Sequence, residues 1–190
     1  IEACFGEHSQ LITRGLVRPD IYEVNKKTGK ITIREISDKE FTLEPSKNGL
    51  IKIPLSSRER KRQVLNLNEI KTLSQYALTM EKNYGPQEIE WAVLRTGELI
   101  FQACRDANLK KLKITPVKNF PIFAGNVKGE LVYLHDLKRN LKLSKKIVTT
   151  ENLDIDFITS LTSSYKPAGI IVTFGSLMAH AVTIIREAKI

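Results

Sequence analysis

The clearest folding signal in the chain is GIIVTFGSLMAHAVTIIRE, which spans Gly169–Glu187. Its first part, from Gly169 to Phe174, is an apolar run typical of a buried strand, and the apolar run after His180 fits the packed face of a helix. Gly175 lies between them and allows the positive φ angle that a sharp exit from a strand requires. The pattern therefore predicts a strand, a glycine turn and a helix that begins near His180.

A histidine at the start of a helix is well placed to carry an anionic group. The first backbone N–H groups of a helix have no partner within it, and the helix dipole favours negative charge at that end. A phosphoryl group on the imidazole of His180 would be stabilised by this field. The alternative interpretation is a neutral histidine that caps the helix or packs beside its first turn.

The order of residues in this stretch resembles the phosphohistidine motif of the swivelling domain in the family of phosphoenolpyruvate synthase, pyruvate phosphate dikinase and rifampicin phosphotransferase. The resemblance implies that His180 is the phosphocarrier and that Gly175 and Arg186 support its loop. The sequence departs from the family pattern at Ser176, where a second glycine is usual, and at Met178-Ala179, where a hydroxyl-bearing pair is usual.

A second informative stretch predicts a β-hairpin. The run EIEWAV at Glu88–Val93 alternates acidic and apolar residues, as a half-buried strand does, and Leu99–Cys104 is the returning strand. A three-residue loop at Arg95–Gly97, with Gly97 in the left-handed region, fixes the register. That register places Leu94 opposite Glu98, Glu90 opposite Gln102, and Glu88 opposite Cys104.

Two carboxylates and an amide would then share one face of the hairpin. Their oxygen atoms are hard ligands, suited to a Mg²⁺ ion that bridges nucleotide phosphates. The alternative is that the paired acids only form a solvated edge of the sheet.

This hairpin resembles the end of the ATP-grasp domain in the same family. The resemblance implies that Glu90 and Gln102 bind Mg²⁺ and ATP, and that Glu88 occupies an ATP-binding position where aspartate is usual. Cys104 stands where the family has a phosphate-binding arginine. Arg105 is one residue further along, and strand alternation directs it to the opposite face unless a bulge intervenes.

The N-terminal part resembles the same domain in two pieces. Phe5-Gly6-Glu7 is similar to a family segment that lines the nucleotide cleft, and GLVRPDIY at Gly15–Tyr22 is similar to the segment that follows it. Gly6 and Glu7 are therefore implied ATP-binding residues.

Local patterns organise the region between these motifs. A hairpin is predicted from Ile21–Val24 and Lys30–Ile36, a further strand at Leu50–Leu55, and a helix that starts after the N-cap Asn66 and ends at Gly85. The basic run Ser57–Arg62 is interpreted as a solvated surface loop, with a phosphate-facing loop as the alternative.

The 190 residues and 42% hydrophobic content suit one large or two small domains. We expect an α/β (α+β) protein in two parts. Residues 1–108 form the C-terminal part of an ATP-grasp domain. Residues 109–190 form a truncated β/β/α phosphohistidine swivelling domain.

The net charge of +9 raises a nucleic-acid-binding module as a rival class. The basic residues are scattered and are not interleaved with aromatic residues, which argues against it. Two cysteines, Cys4 and Cys104, fit a reducing cytosol. No apolar window is long enough to span a membrane, so we expect a cytoplasmic protein.

The resemblance implies a phosphotransferase that uses ATP and Mg²⁺ and passes a phosphoryl group through His180 to pyruvate. A rifampicin phosphotransferase-like enzyme and a degenerate regulatory homologue are the alternatives. The N-terminal half of the ATP-grasp domain and the acceptor-binding barrel are expected as partners, in the same chain or in another. The isolated chain is therefore expected to be inactive.

Overall fold

The computed structural model describes residues 1–6, 10–107, 125–136, 143–153, 157–159, 161, 166–176, 179–188 and 190. It is a mixed α/β structure in two compact units. The first unit comprises Ile1–Ser9 and Asp20–Lys111, and the second comprises Gln10–Pro19 and Leu112–Ile190. Residues 10–19, which were predicted to belong to the N-terminal domain, thus group with the C-terminal residues.

The strands are β1 (Glu2–Ala3), β2 (Asp20–Val24), β3 (Ile31–Glu35), β4 (Phe41–Ser46), β5 (Gly49–Pro54), β6 (Gln87–Val93), β7 (Leu99–Asp106), β8 (Glu130–Tyr133), β9 (Lys146–Thr150) and β10 (Gly169–Val172). The helices are α1 (Gln10–Thr13), α2 (Ser57–Arg60), α3 (Leu67–Tyr84) and α4 (His180–Ala188), with a 3₁₀ turn at Leu134–Asp136. Among the described residues, no helix is long and apolar enough to cross a membrane.

Antiparallel pairing dominates the first unit. Strands β1, β2 and β3 form one sheet in that order, while β4–β5 and β6–β7 are separate hairpins. The predicted β2–β3 hairpin is confirmed, with Tyr22 opposite Ile33 and Val24 opposite Ile31. The strand predicted at Leu50–Leu55 is also present as β5, but its partner β4 was not predicted.

Helix α3 begins and ends where its capping residues predict. The Asn66 side chain accepts hydrogen bonds from the backbone N–H groups of Asn68 and Glu69, and the Glu69 carboxylate accepts one from the Asn66 N–H at 2.7 Å. Gly85 ends the helix with a φ angle of 81°. Reciprocal bonds of this kind satisfy N–H groups that the first turn leaves unpaired.

The interpretation of Ser57–Arg62 as a loop is wrong for its first four residues, which form α2. The sequence reasoning overlooked a second capping box, in which Ser56 and Glu59 bond each other's side chains and backbone. The helix is also held from outside, because Arg60 donates to Asp38 at 2.6 Å and its carbonyl accepts from the Lys39 N–H.

The core of the first unit lies between the β1–β3 sheet, α3 and one face of the β6–β7 hairpin. Its buried members are Ala3, Tyr22, Leu65, Ile70 and Leu73, and the hairpin residues packed against them are Trp91, Val93 and Leu99. The hairpin therefore has an inner, apolar face that bears Trp91 and an outer face that bears Glu88 and Glu90.

The second unit contains a parallel sheet in the order β10–β9–β8. Parallel strands are usually covered by helices, and the buried residues of α4 share a core with β9. That core includes Val148, Ile158, Leu161, Val182 and Ile185. The strand predicted at Gly169–Phe174 ends two residues earlier, at Val172.

Candidate functional site

The turn of the β6–β7 hairpin has the predicted geometry. Gly97 has a φ angle of 84°, which favours glycine. The Leu94 N–H donates to the Glu98 carbonyl at 2.8 Å, and the Gly97 N–H donates to the Leu94 carbonyl at 2.9 Å. The three-residue loop and the pairing of Leu94 with Glu98 are confirmed.

The register further from the turn differs from the prediction. Trp91 lies opposite Phe101, but Glu90 lies opposite Ala103 and Glu88 opposite Arg105. The predicted pairs of Glu90 with Gln102 and of Glu88 with Cys104 are therefore wrong.

The physical reason is a β-bulge in which Gln102 is the extra residue. A bulge places two residues of one strand against one of its partner and reverses the facing of every residue beyond it. An unbroken ladder would have turned Arg105 towards the apolar inner face. The bulge places Arg105 on the outer face and pairs Cys104 with Ile89 instead.

Opposite charges meet on this outer face. The Arg105 Nε donates to Glu88 Oε2 at 2.7 Å, and the side chains are 43% and 17% exposed respectively. Glu90 is half-buried and Gln102 is exposed. A planar guanidinium is suited to bind phosphate oxygens. The bulge therefore places an arginine side chain on the same face as Glu88 and Glu90.

The donor set fits Mg²⁺ better than a transition metal. In the described ranges, no group of three or more His, Cys, Asp or Glu residues could hold a metal ion. Glu90 and Gln102, which the bulge takes out of direct pairing, would supply one carboxylate and one amide oxygen. Mg²⁺ takes few protein ligands and completes its shell with phosphate oxygens and water, so these residues suit a metal that arrives with a nucleotide.

The two N-terminal site residues have different outcomes. Gly6 is exposed and has a φ angle of 130°, a conformation that glycine tolerates best. Its neighbour Phe5 accepts a hydrogen bond from Thr42 at 3.0 Å, and the Arg62 guanidinium lies 4.7 Å from the centre of the Phe5 ring. Glu7 lies outside the described residues.

His180 belongs to the second unit and is the first residue of α4. Gly175 has the predicted positive φ angle, 130°, and the His180 side chain is half-buried. The residues after it, Ala181 and Val182, are buried and fix the helix against the sheet. Arg186 lies in the last turn and is half-buried. The predicted strand, glycine turn and helix are all present.

Sequence reasoning did not connect residues 10–19 with this turn. In the structure, Gly15 lies against Gly175 and Ala179, and Arg18 bonds the carbonyl of Thr173. The only local signal was Gly15, since a glycine can mark a close backbone approach. No local pattern identified Gly175 as the residue that it approaches.

Comparison with known proteins places this geometry in a family. Residues 1–118 match the model described as "Pyruvate phosphate dikinase, AMP/ATP-binding domain". The chain therefore belongs to the phosphoenolpyruvate synthase and pyruvate phosphate dikinase family.

Three relatives carry the name "Probable phosphoenolpyruvate synthase". The protein from Methanocaldococcus jannaschii is 30% identical over 93% of this chain and 16% of its own length. Those from Archaeoglobus fulgidus and Methanothermobacter thermautotrophicus are 26% and 24% identical over 98% and 95% of this chain, and over 26% and 28% of their own lengths. The chain thus spans less than a third of each relative.

Proposed function

We propose that this chain is part of an ATP-dependent phosphotransferase that transfers a phosphoryl group from ATP to His180 and then to pyruvate. Residues 1–108 would be the C-terminal part of an ATP-grasp domain, and residues 109–190 part of a phosphohistidine swivelling domain. The observation that carries the proposal is the position of His180, the first residue of a helix that follows a positive-φ glycine.

Two features of the His180 position support phosphoryl chemistry. A histidine accepts a phosphoryl group through a neutral ring nitrogen that substrate can reach, and the His180 side chain, which is half-buried, retains some exposed surface. The N-terminal end of α4 favours the negative charge that the transferred group brings.

The outer face of the β6–β7 hairpin would bind the nucleotide phosphates. Glu90 and Gln102 would hold Mg²⁺, which neutralises phosphate charge when it is bound. Arg105, directed to this face by the bulge, would supply the guanidinium that Cys104 lacks, and Glu88 orients it through their ion pair. By the family resemblance, Gly6 and Glu7 would line the nucleotide cleft.

In the proposed reaction, a neutral His180 nitrogen attacks a phosphorus of ATP in line with the leaving oxygen. A phosphorus–nitrogen bond forms, the phosphorus–oxygen bond to the rest of the nucleotide breaks, and that nucleotide leaves with the electron pair of the broken bond on its phosphate oxygen. His180 then transfers the phosphoryl group to the acceptor. Dividing the transfer into two steps allows each site to be complementary to one partner.

The test is phosphate labelling of the intact protein. Incubation with ATP labelled at its β- or γ-phosphate should give acid-labile, base-stable label, and His180→Ala should abolish it. Glu90→Ala should also remove the label while changing the free energy of unfolding by less than about 1 kcal/mol. Glu98→Ala, an exposed acid in the same hairpin, is the matched control and should label normally.

Chase experiments distinguish the alternatives. Loss of the label to pyruvate supports the proposal, whereas loss to rifampicin alone supports the antibiotic phosphotransferase. A folded intact protein that binds ATP but forms no label would instead be a regulatory homologue.

A further inference from the structure

The segment Gln10–Pro19 is enclosed in sequence by residues of the first unit but belongs to the second. Strands β1 and β2, on either side of this segment, pair with each other, with Glu2 opposite Ile21 and Ala3 opposite Asp20. The segment is well packed, since Leu11, Val17 and Pro19 are buried. Residues 10–19 are therefore a well-packed segment of the second unit.

Within that unit, the segment lies directly on the turn that precedes His180. Gly15 has a φ angle of 65°, and a Cβ atom there would lie 3.6 Å from the Ala179 Cβ and 4.0 Å from the Gly175 Cα. A Cβ atom on Gly175 would lie 3.8 Å from the Gly15 carbonyl oxygen. The backbones of these two positive-φ glycines therefore lie close together, with room between them for about one Cβ atom in ordinary van der Waals contact.

Arg18 adds a directional contact to the same turn. One guanidinium nitrogen donates to the Thr173 carbonyl at 2.9 Å, and the guanidinium lies 5.7 Å from the centre of the Phe174 ring. The N–H groups of these two turn residues are themselves bonded, Thr173 to the Thr150 carbonyl at 3.1 Å and Phe174 to the Glu151 carbonyl at 2.8 Å. The exit of β10 is therefore fixed from β9 on one side and from Arg18 on the other.

We propose that Arg18 is a positioning residue for phosphoryl transfer, holding the β10 exit so that His180 is presented in one orientation. The inference rests on the proposed function. Arg18 acts through Thr173 and Phe174 and does not itself contact the reacting atoms. Because in-line transfer depends steeply on the placement of the attacking nitrogen, a small displacement of this turn slows the reaction.

The chemistry of the contact makes the proposal specific to arginine. A planar guanidinium can donate to a carbonyl and at the same time lie over an aromatic ring, whereas an ammonium group can donate but does not stack in the same way. Arg18 is exposed, so its contribution to overall stability is small. Its effect should appear in the rate of transfer and not in the folding of the protein.

The experiment compares Arg18→Gln, Arg18→Lys and the control Arg34→Gln in the intact protein. Arg34 pairs with Glu23 across the β2–β3 hairpin. The Arg34→Gln substitution therefore removes the same charge as Arg18→Gln at a position away from the turn before His180. Single-turnover labelling of His180 at saturating ATP should be roughly tenfold slower in Arg18→Gln. Arg18→Lys should recover part of the rate, and Arg34→Gln should match the wild type. ATP affinity, measured by equilibrium binding, should be equal in all four proteins.

Amide hydrogen exchange supplies a readout independent of chemistry. Arg18→Gln should accelerate exchange at Ser176 and Ala179, while Arg34→Gln should not. If the wild type labels His180 and Arg18→Gln labels it at the same rate, the role of Arg18 is overturned and the proposed function stands. A slower labelling rate in Arg18→Gln that comes with a general loss of thermal stability overturns the role of Arg18 as well. A wild-type protein that forms no His180 label overturns the proposed function, and the inference with it.

Discussion

Asp20 and Lys39 form a charge pair that is almost completely removed from solvent, with side-chain exposures of 0% and 1%. The Lys39 ammonium donates to Asp20 Oδ1 at 2.5 Å and to the Ser37 carbonyl at 3.0 Å. The carboxylate also accepts from the Ser37 N–H, the Tyr22 hydroxyl and the Val64 N–H. This network joins β2 to the segments before β4 and before α3. A buried charge is tolerated only when it is paired and hydrogen-bonded in this way.

Removing one partner of this pair should be strongly destabilising. We expect Lys39→Met to lower the free energy of unfolding by about 3–5 kcal/mol, because the Asp20 carboxylate stays buried without its cation. Adding Asp20→Asn should restore part of the loss, since the charge itself is then gone. Urea titration measures both, with the exposed Lys47→Met as control. A Lys39→Met protein as stable as the control would show that the pair contributes nothing.

At the scale of elements, capping residues define α3 and register defines the β6–β7 hairpin. These two signals differ in how far apart in sequence the residues that produce them lie. A capping box lies within four residues, so the sequence displays it completely, whereas the bulge at Gln102 depends on which residues can face the core. Trp91, Val93 and Leu99 meet that core, and the bulge lies between them and the pair of Glu88 with Arg105.

The cap of α3 gives a local prediction. Asn66→Ala should destabilise the protein by about 1 kcal/mol, because two N–H groups of the first turn lose their acceptor. The matched control is Asn68→Ala, two residues later, where the side chain is exposed and the backbone bond is retained. Urea denaturation compares the two variants, and equal midpoints would refute the role of the cap.

At the scale of the whole molecule, titratable groups in the first unit link its stability to pH. Burial raises the pKa of Cys4 to about 12, from an ordinary value of 9.0, and raises the pKa of Tyr22 from 10.0 to about 12. Both groups hold their protons more tightly in the folded state. Their stabilising contribution is therefore complete below pH 9 and is lost as the pH rises towards 12.

The only tryptophan, Trp91, packs against the first core and reports on this unit. We expect the urea midpoint of Trp91 fluorescence to fall between pH 9 and pH 11. In Cys4→Ala, the free energy of unfolding should fall less steeply with pH, by up to about 1.4 kcal/mol per pH unit, because one titrating proton has been removed. The exposed Cys104→Ala should retain the wild-type slope. Identical slopes in the two variants would contradict the assigned role of Cys4.

Elements with local signals could be predicted from the amino-acid sequence alone. The helix after Asn66, the turn at Gly97 and the sequence of strand, glycine turn and helix around His180 all follow from capping, positive-φ glycine and periodicity within a few residues. The family resemblance was readable for the same reason, because its motifs are contiguous.

Features that depend on distant residues were not predictable from local patterns and are specified by the folded units. The facing of Arg105 was set by a bulge in the strand ladder, and the burial of Lys39 by a carboxylate 19 positions away in sequence. The contact of Gly15 and Arg18 with the turn before His180 joins residues more than 150 positions apart. Pairings of this kind are selected by the packing of the whole unit, which local sequence patterns do not specify.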